Sequence, residues 1–226
     1  MDSVKFWRHH RQRFEVKTIF SLVLMLICTS TFADGSGPAR ARLEQFSTGL
    51  DNLQLRFSQT VRSQDGRIQD ETHGNAWLQS PDKLRWVYGG DFPETIVADG
   101  ENVWIYDETL EQVTIKPQSN NVSDTPLLIL TDLSQLDQQF LVSELGEFES
   151  MHLLELRSRE GESEFERILM GLDMEGIRMM VMEDAFGQRT EIRFSDIIRN
   201  GEIHQQQFSF TPPEGVDVVG QITTPD

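Results

Sequence analysis

The sequence predicts a mainly β protein, an antiparallel sheet curling toward a barrel. Three observations predict it. From residue 53 onward, apolar side chains recur at every second position in many short runs. Turns bearing Gly, Asp and Asn join those runs, such as Asp99-Gly100-Glu101-Asn102 and Asp173-Met174-Glu175-Gly176. The length left after the N-terminal segment, about 190 residues, suits one domain of the sheet-and-barrel kind.

Residues 1–33 read as a cleaved signal peptide, and residues 34–226 as a single domain. Lys5, Arg8, Arg11, Arg13 and Lys17 make a basic flank, Ile19 to Ile27 an apolar core, and Thr31 and Ala33 a small-residue cleavage site. The core is shorter than the roughly 20 residues that span a bilayer, which argues against an uncleaved anchor. Cys28 raises lipidation as another option, but Ile27 occupies the place where a lipobox needs a small residue. Cleavage after Ala33 removes the chain's one cysteine, so the mature domain relies on its core without disulfides. It also removes five basic and two acidic residues, leaving 15 against 35 and a net charge of −20. Such a charge repels phosphate backbones and anionic membrane surfaces, so no nucleic acid is expected as a partner. Plain solubility explains the charge equally well.

Leu43, Phe46 and Leu50 share one helical face, so Ala39–Leu50 is read as a short helix. Leu53, Leu55, Phe57 and Val61 then alternate with polar residues in the first strand. Ala76–Leu78 and Leu84–Tyr88 follow, split by Ser80-Pro81-Asp82. Thr95–Ala98 and Val103–Tyr106 form a hairpin, and Gln112–Lys116 closes that meander. Between Pro117 and Leu136 the pattern breaks. Thr125 or Asp124 caps a short helix, with Pro126 in its first turn and Leu127, Leu128, Ile129 and Leu130 as a nearly unbroken apolar run. Strands resume at Phe140–Val142, Leu153–Ser158, Phe165–Gly171, Ile177–Met182, Arg189–Phe194 and Gln207–Phe210. The tail beyond Pro212-Pro213 reads as loose. A membrane barrel would need longer strands, about 10 residues each, with an apolar outer face.

No catalytic pattern is visible. His73, His152 and His204 have no metal-ligand spacing, and neither a nucleophile elbow nor a glycine-rich phosphate loop occurs. No enzyme, no metal and no cofactor is therefore expected. The apolar content stands out instead. Met179, Met180 and Met182 share a strand, with Met151, Met170 and Met174 nearby, and Trp77, Trp86 and Trp104 lie on strands. Flexible methionines suit a cavity for disordered chains, and they suit an ordinary β-core as well.

Over about Ala41 to Val218 the segments resemble the outer-membrane lipoprotein carrier family, LolA. The resemblance rests on Leu53-x-Leu55-x-Phe57-Ser58-Gln59-Thr60, Gly74-x-x-Trp77, and Ser80-Pro81-x-x-Leu84-x-Trp86. It continues in Asp99-Gly100-x-x-Val103-Trp104-x-Tyr106, Glu111-Gln112 and Thr125-Pro126-Leu127-Leu128-Ile129-Leu130. It ends in Phe208-x-Phe210-Thr211-Pro212-Pro213-x-Gly215-Val216. Each piece is weak alone; their order and spacing are specific. The resemblance implies an unclosed antiparallel half-barrel with a lid of short α-helices over a hydrophobic cavity. It implies a periplasmic, monomeric chaperone that takes acylated lipoproteins from the inner-membrane ABC transporter LolCDE to the outer-membrane receptor LolB. Leu53, Leu55, Phe57, Trp77, Leu84, Trp86, Met180 and Met182 are the expected acyl-chain cavity, and Leu127–Leu130 the lid helix. Family members often carry an arginine just before the proline of Pro-x-x-x-x-Trp. Ser80 stands there in this chain, which leaves Arg85 as a candidate latch. A same-fold outer-membrane receptor lipidated at Cys28, an envelope-stress sensor of lipoprotein acyl chains, and a periplasmic lipid hydrolase are the other readings.

Overall fold

The computed structural model describes residues 37–118, 129–130, 133–159 and 165–221. Among the described residues twelve strands form one sheet in the order β12-β6-β5-β4-β3-β2-β1-β11-β10-β9-β8-β7. They are β1 (Asn52–Arg62), β2 (Ile68–Gln79), β3 (Lys83–Tyr88), β4 (Glu94–Ala98), β5 (Asn102–Asp107) and β6 (Gln112–Pro117). Then come β7 (Phe140–Phe148), β8 (Met151–Ser158), β9 (Phe165–Asp173), β10 (Gly176–Asp184), β11 (Arg189–Arg199) and β12 (Asp217–Gly220). Neighbouring strands are antiparallel except β12, which runs parallel to β6. Strands β7 and β12 end the order without pairing to each other, so the sheet is unclosed.

Side chains of a strand point alternately to opposite faces. On β1 the positions Leu53, Leu55 and Phe57 are buried while Arg56 and Ser58 are exposed. The same alternation continues on β3 with Leu84 and Trp86, and on β11 with Ile192 and Phe194. These residues gather with Leu154, Leu156, Ile168, Met170 and Met180 in one main core, although they come from strands far apart in the order. A flat sheet could not bring them together, so the sheet wraps around this face. Residues Ala33–Asp226 form one unit.

Helix α1 (Pro38–Ser47) lies over the concave face and buries Ala39, Leu43 and Phe46. It is shorter than the periodicity of Ala39–Leu50 predicts, because Thr48 turns to an extended conformation; Leu50 is nonetheless buried in the same core. Proline at its first position suits a helix start. Its end is capped from a distance: the Glu144 carboxylate on β7 accepts hydrogen bonds from the Ala39 and Arg40 amides at 3.1 and 2.9 Å. A carboxylate there satisfies orphan amides and meets the positive end of the helix dipole.

The C-terminal segment differs from expectation. Gln205–Phe208, read in part as a strand, is a 3-10 turn, and the supposedly loose tail supplies β12. Phe210 and Val216 cover a second, outer cluster of Val97, Trp104, Val113 and Ile115. Trp104 therefore faces away from the main core, its indole nitrogen donating to Asp99 at 2.7 Å.

Candidate functional site

The concave face is the candidate site. Six of the eight residues expected to line it, Leu53, Leu55, Phe57, Leu84, Trp86 and Met180, are buried together in the main core, and Met182 packs against that core half-buried. Phe57 ties the lining together. Its ring stacks on Trp86 at 4.1 Å and meets Tyr88 edge-on at 5.2 Å.

Trp77 is placed elsewhere. On β2 it is Ala76 and Leu78 that face the core, and Trp77 between them points outward, half-buried, opposite Gln54 and Arg85. Arg85 shares that outer face. Its guanidinium donates to the Gln207 carbonyl at 3.4 Å, so it contacts the C-terminal 3-10 turn. Burial lowers its pKa. Of the four expected lid residues, Leu127 and Leu128 lie outside the described residues. Ile129 and Leu130 have 3-10 geometry and are 1% and 0% exposed, within the main core.

The next helical segment, α2 (Leu136–Gln139), is tied to α1 by a contact that sequence spacing does not suggest. Arg40 grips Asp137 through two parallel hydrogen bonds of 2.6 Å and also pairs with Glu44 at 2.9 Å. The fork-to-fork geometry is the strong form of this interaction. The Arg40 hydrogen bonds hold the Asp137 carboxyl below its ordinary pKa, and Arg159 adds a smaller charge effect. Arg159 further donates to the Asp137 and Phe140 carbonyls at 3.0 and 3.1 Å, joining α2 to the end of β8. Residues missed from sequence thus include Arg40, Asp137, Glu144 and Arg159. A pair 97 residues apart leaves no local signal.

Chemically, this site can shelter hydrocarbon. Among the described residues no group of three His, Cys, Asp or Glu side chains is placed to hold a metal ion. No helix among them is long and apolar enough to cross a membrane.

An unclosed sheet whose concave face is apolar and covered by short helical segments defines a class of small half-barrel domains. The comparisons say which family within that class. The family model "Outer membrane lipoprotein carrier protein LolA" matches residues 48–211. An outer-membrane lipoprotein carrier protein of Dechloromonas aromatica is 37% identical over 180 residues, covering 80% of this chain and 86% of that one. One from Xanthomonas campestris is 36% identical over 214 residues, covering 94% of this chain and 98% of its own length. Among solved structures, an uncharacterized conserved protein from Thermus thermophilus aligns with a TM-score of 0.51 at 16% identity, over 80% of this chain and 98% of that one, a likeness of fold. The chain belongs to the LolA family of outer-membrane lipoprotein carrier proteins.

Proposed function

We propose that this protein is a periplasmic lipoprotein chaperone that carries acylated lipoproteins from the inner-membrane transporter LolCDE to the outer-membrane receptor LolB, without catalysis. The observation that carries this reading is the concave apolar face of Leu53, Leu55, Phe57, Leu84, Trp86, Met180 and Met182 in a member of the lipoprotein carrier family. Burying hydrocarbon is worth roughly 0.8 kcal/mol per methylene, so a chain of about 16 carbons is held out of water by about 12 kcal/mol. A carrier must recover most of that energy and still release its load. In this reading the chains take the place of the helical segments that pack on the concave face, with Leu127–Leu130 as the moving lid. The segment 1–33 directs export, and the domain 34–226 acts as a soluble monomer.

The test is capture of a triacylated lipoprotein by the purified protein, compared with the same lipoprotein stripped of its acyl chains. Capture of the acylated form only is expected. Equal capture of both would show that the protein reads polypeptide, not lipid.

A further inference from the structure

Where the concave face reaches the end of the sheet that carries the β10–β11 turn, it opens into a cavity of about 430 Å³ lined by Gln59, Tyr88, Phe165, Met182, Phe186 and Thr190 among others. The lower wall is apolar and continuous with the main core, since Tyr88, Phe165 and Met182 all pack against it. Below Tyr88 come Phe57 and then Trp86. A hydrocarbon chain passing Met182 and Phe165 would meet the rings of Tyr88, Phe57 and Trp86.

The upper wall is polar in one particular way. The Tyr88 hydroxyl donates to the Gln59 side-chain carbonyl at 3.2 Å. Burial, and next the charge of Glu94, pushes the Tyr88 pKa up to about 12, so the hydroxyl stays protonated and keeps this bond at neutral pH. In this arrangement the Gln59 amide oxygen faces Tyr88. The amide nitrogen, with two N–H donors, is then turned away from Tyr88. Thr190 adds a hydroxyl from β11. Among the described residues no lysine or arginine lines the opening, and the one carboxylate among them, Asp184, accepts the Phe186 and Gln188 amides within its own turn. Neutral donors beside a fixed negative charge suit an uncharged acceptor. They do not suit a phosphate or a free carboxylate.

We propose that this opening is an ester-recognition subsite: Gln59 and Thr190 donate hydrogen bonds to the ester carbonyls of a diacylglyceryl group whose hydrocarbon chains run down the concave face. The proposal rests on the acyl-carrier reading and adds the chemical class of the group held at the mouth.

Binding of fluorescent glycerolipids to the purified protein tests it. A diester and a diether with identical chains differ only in the carbonyls. The diester should bind about fivefold more tightly, the worth of one ordinary hydrogen bond. Gln59→Leu and Thr190→Val, each checked by circular dichroism, should erode that preference and leave diether binding intact. Equal binding of diester and diether by the wild type overturns the subsite while leaving the carrier reading standing. So does a preference that survives both substitutions. Binding of neither lipid overturns the carrier reading and the subsite with it. If Gln59→Leu fails to fold, the wild-type comparison and Thr190→Val decide the matter.

Discussion

At Gly74 a single added Cβ would stand 1.9 Å from the Val87 carbonyl oxygen and 2.6 Å from the Phe57 ring. Gly74 lies opposite Phe57 in the β1–β2 ladder and opposite Tyr88 in the β2–β3 ladder. The missing side chain is what lets the Phe57 ring lie across β2 and reach Trp86. Because the nearest obstacle is backbone, the strain cannot be relieved by rotating a side chain. Gly74→Ala should therefore destabilise the fold by roughly 2–3 kcal/mol, at the upper end of overpacking costs. Urea unfolding read by tryptophan fluorescence would measure it, and a change under about 0.5 kcal/mol, the size of an ordinary surface substitution, would contradict the close approach. Trp77 teaches a related lesson at this scale. Its residue type suited a lumen, yet position parity decides the face, and Ala76 and Leu78 hold the inward places.

At the scale of elements, what links α1 to α2 is the Arg40–Asp137 pair. Asp137 has its pKa depressed in the folded protein, chiefly by hydrogen bonding to Arg40. A depressed carboxylate contributes stability above its ordinary value of 3.8, and that contribution fades as the pH falls through the folded value. The Asp137 side chain is 61% exposed, so its worth is that of a well-aligned surface pair, below about 1 kcal/mol. Asp137→Asn should lower the melting temperature slightly at pH 7, and the gap to wild type should close below about pH 4. A gap that stays constant down to pH 2.5 would mean that the carboxylate's charge is not what ties α2 to α1. Elements were legible where one face is buried. β1 announces itself through strict alternation, and the β4–β5 hairpin through its Asp99 turn, whose carboxylate accepts the Glu101 and Asn102 amides. The first two-thirds of β2, Ile68–Asn75, is exposed or half-buried on both faces, and β12 is exposed throughout, so neither carries a period-two signal. These strands exist because neighbours offer them hydrogen bonds, which a single segment cannot reveal. Phe208 and Phe210 misled for the opposite reason. They alternate like a strand, but Phe208 is buried on a 3-10 turn beside β3 and Phe210 packs on Trp104.

For the molecule as a whole, one apolar face has two competing claimants. Leu43, Phe46, Ile129, Leu130 and Leu136 from the helical segments complete the same core as the strand residues. Acyl chains can occupy the face only if some of these leave, so the free energy of lid closure is subtracted from that of binding. Leu130 and Leu154 separate the two roles. Both are fully buried in the main core, one on the helical segment and the other on β8, paired between β7 and β9. Truncation of either to alanine removes similar contact, typically about 2–5 kcal/mol in a rigid core. On a lid that undocks, the loss falls only on the closed form. Leu130→Ala should then tighten binding of a fluorescent acyl probe, by about tenfold for each 1.4 kcal/mol of weakened closure, with only a modest fall in melting temperature. Leu154→Ala should lower the melting temperature by the full amount and not tighten binding, because the sheet is present in open and closed forms alike. Probe titration and thermal melting on the same preparations give both quantities. If Leu130→Ala melts as low as Leu154→Ala and binds the probe no better than wild type, then Ile129–Leu130 is fixed core, and the chains must enter by displacing another segment, such as α1, which buries Ala39, Leu43 and Phe46 in the same core.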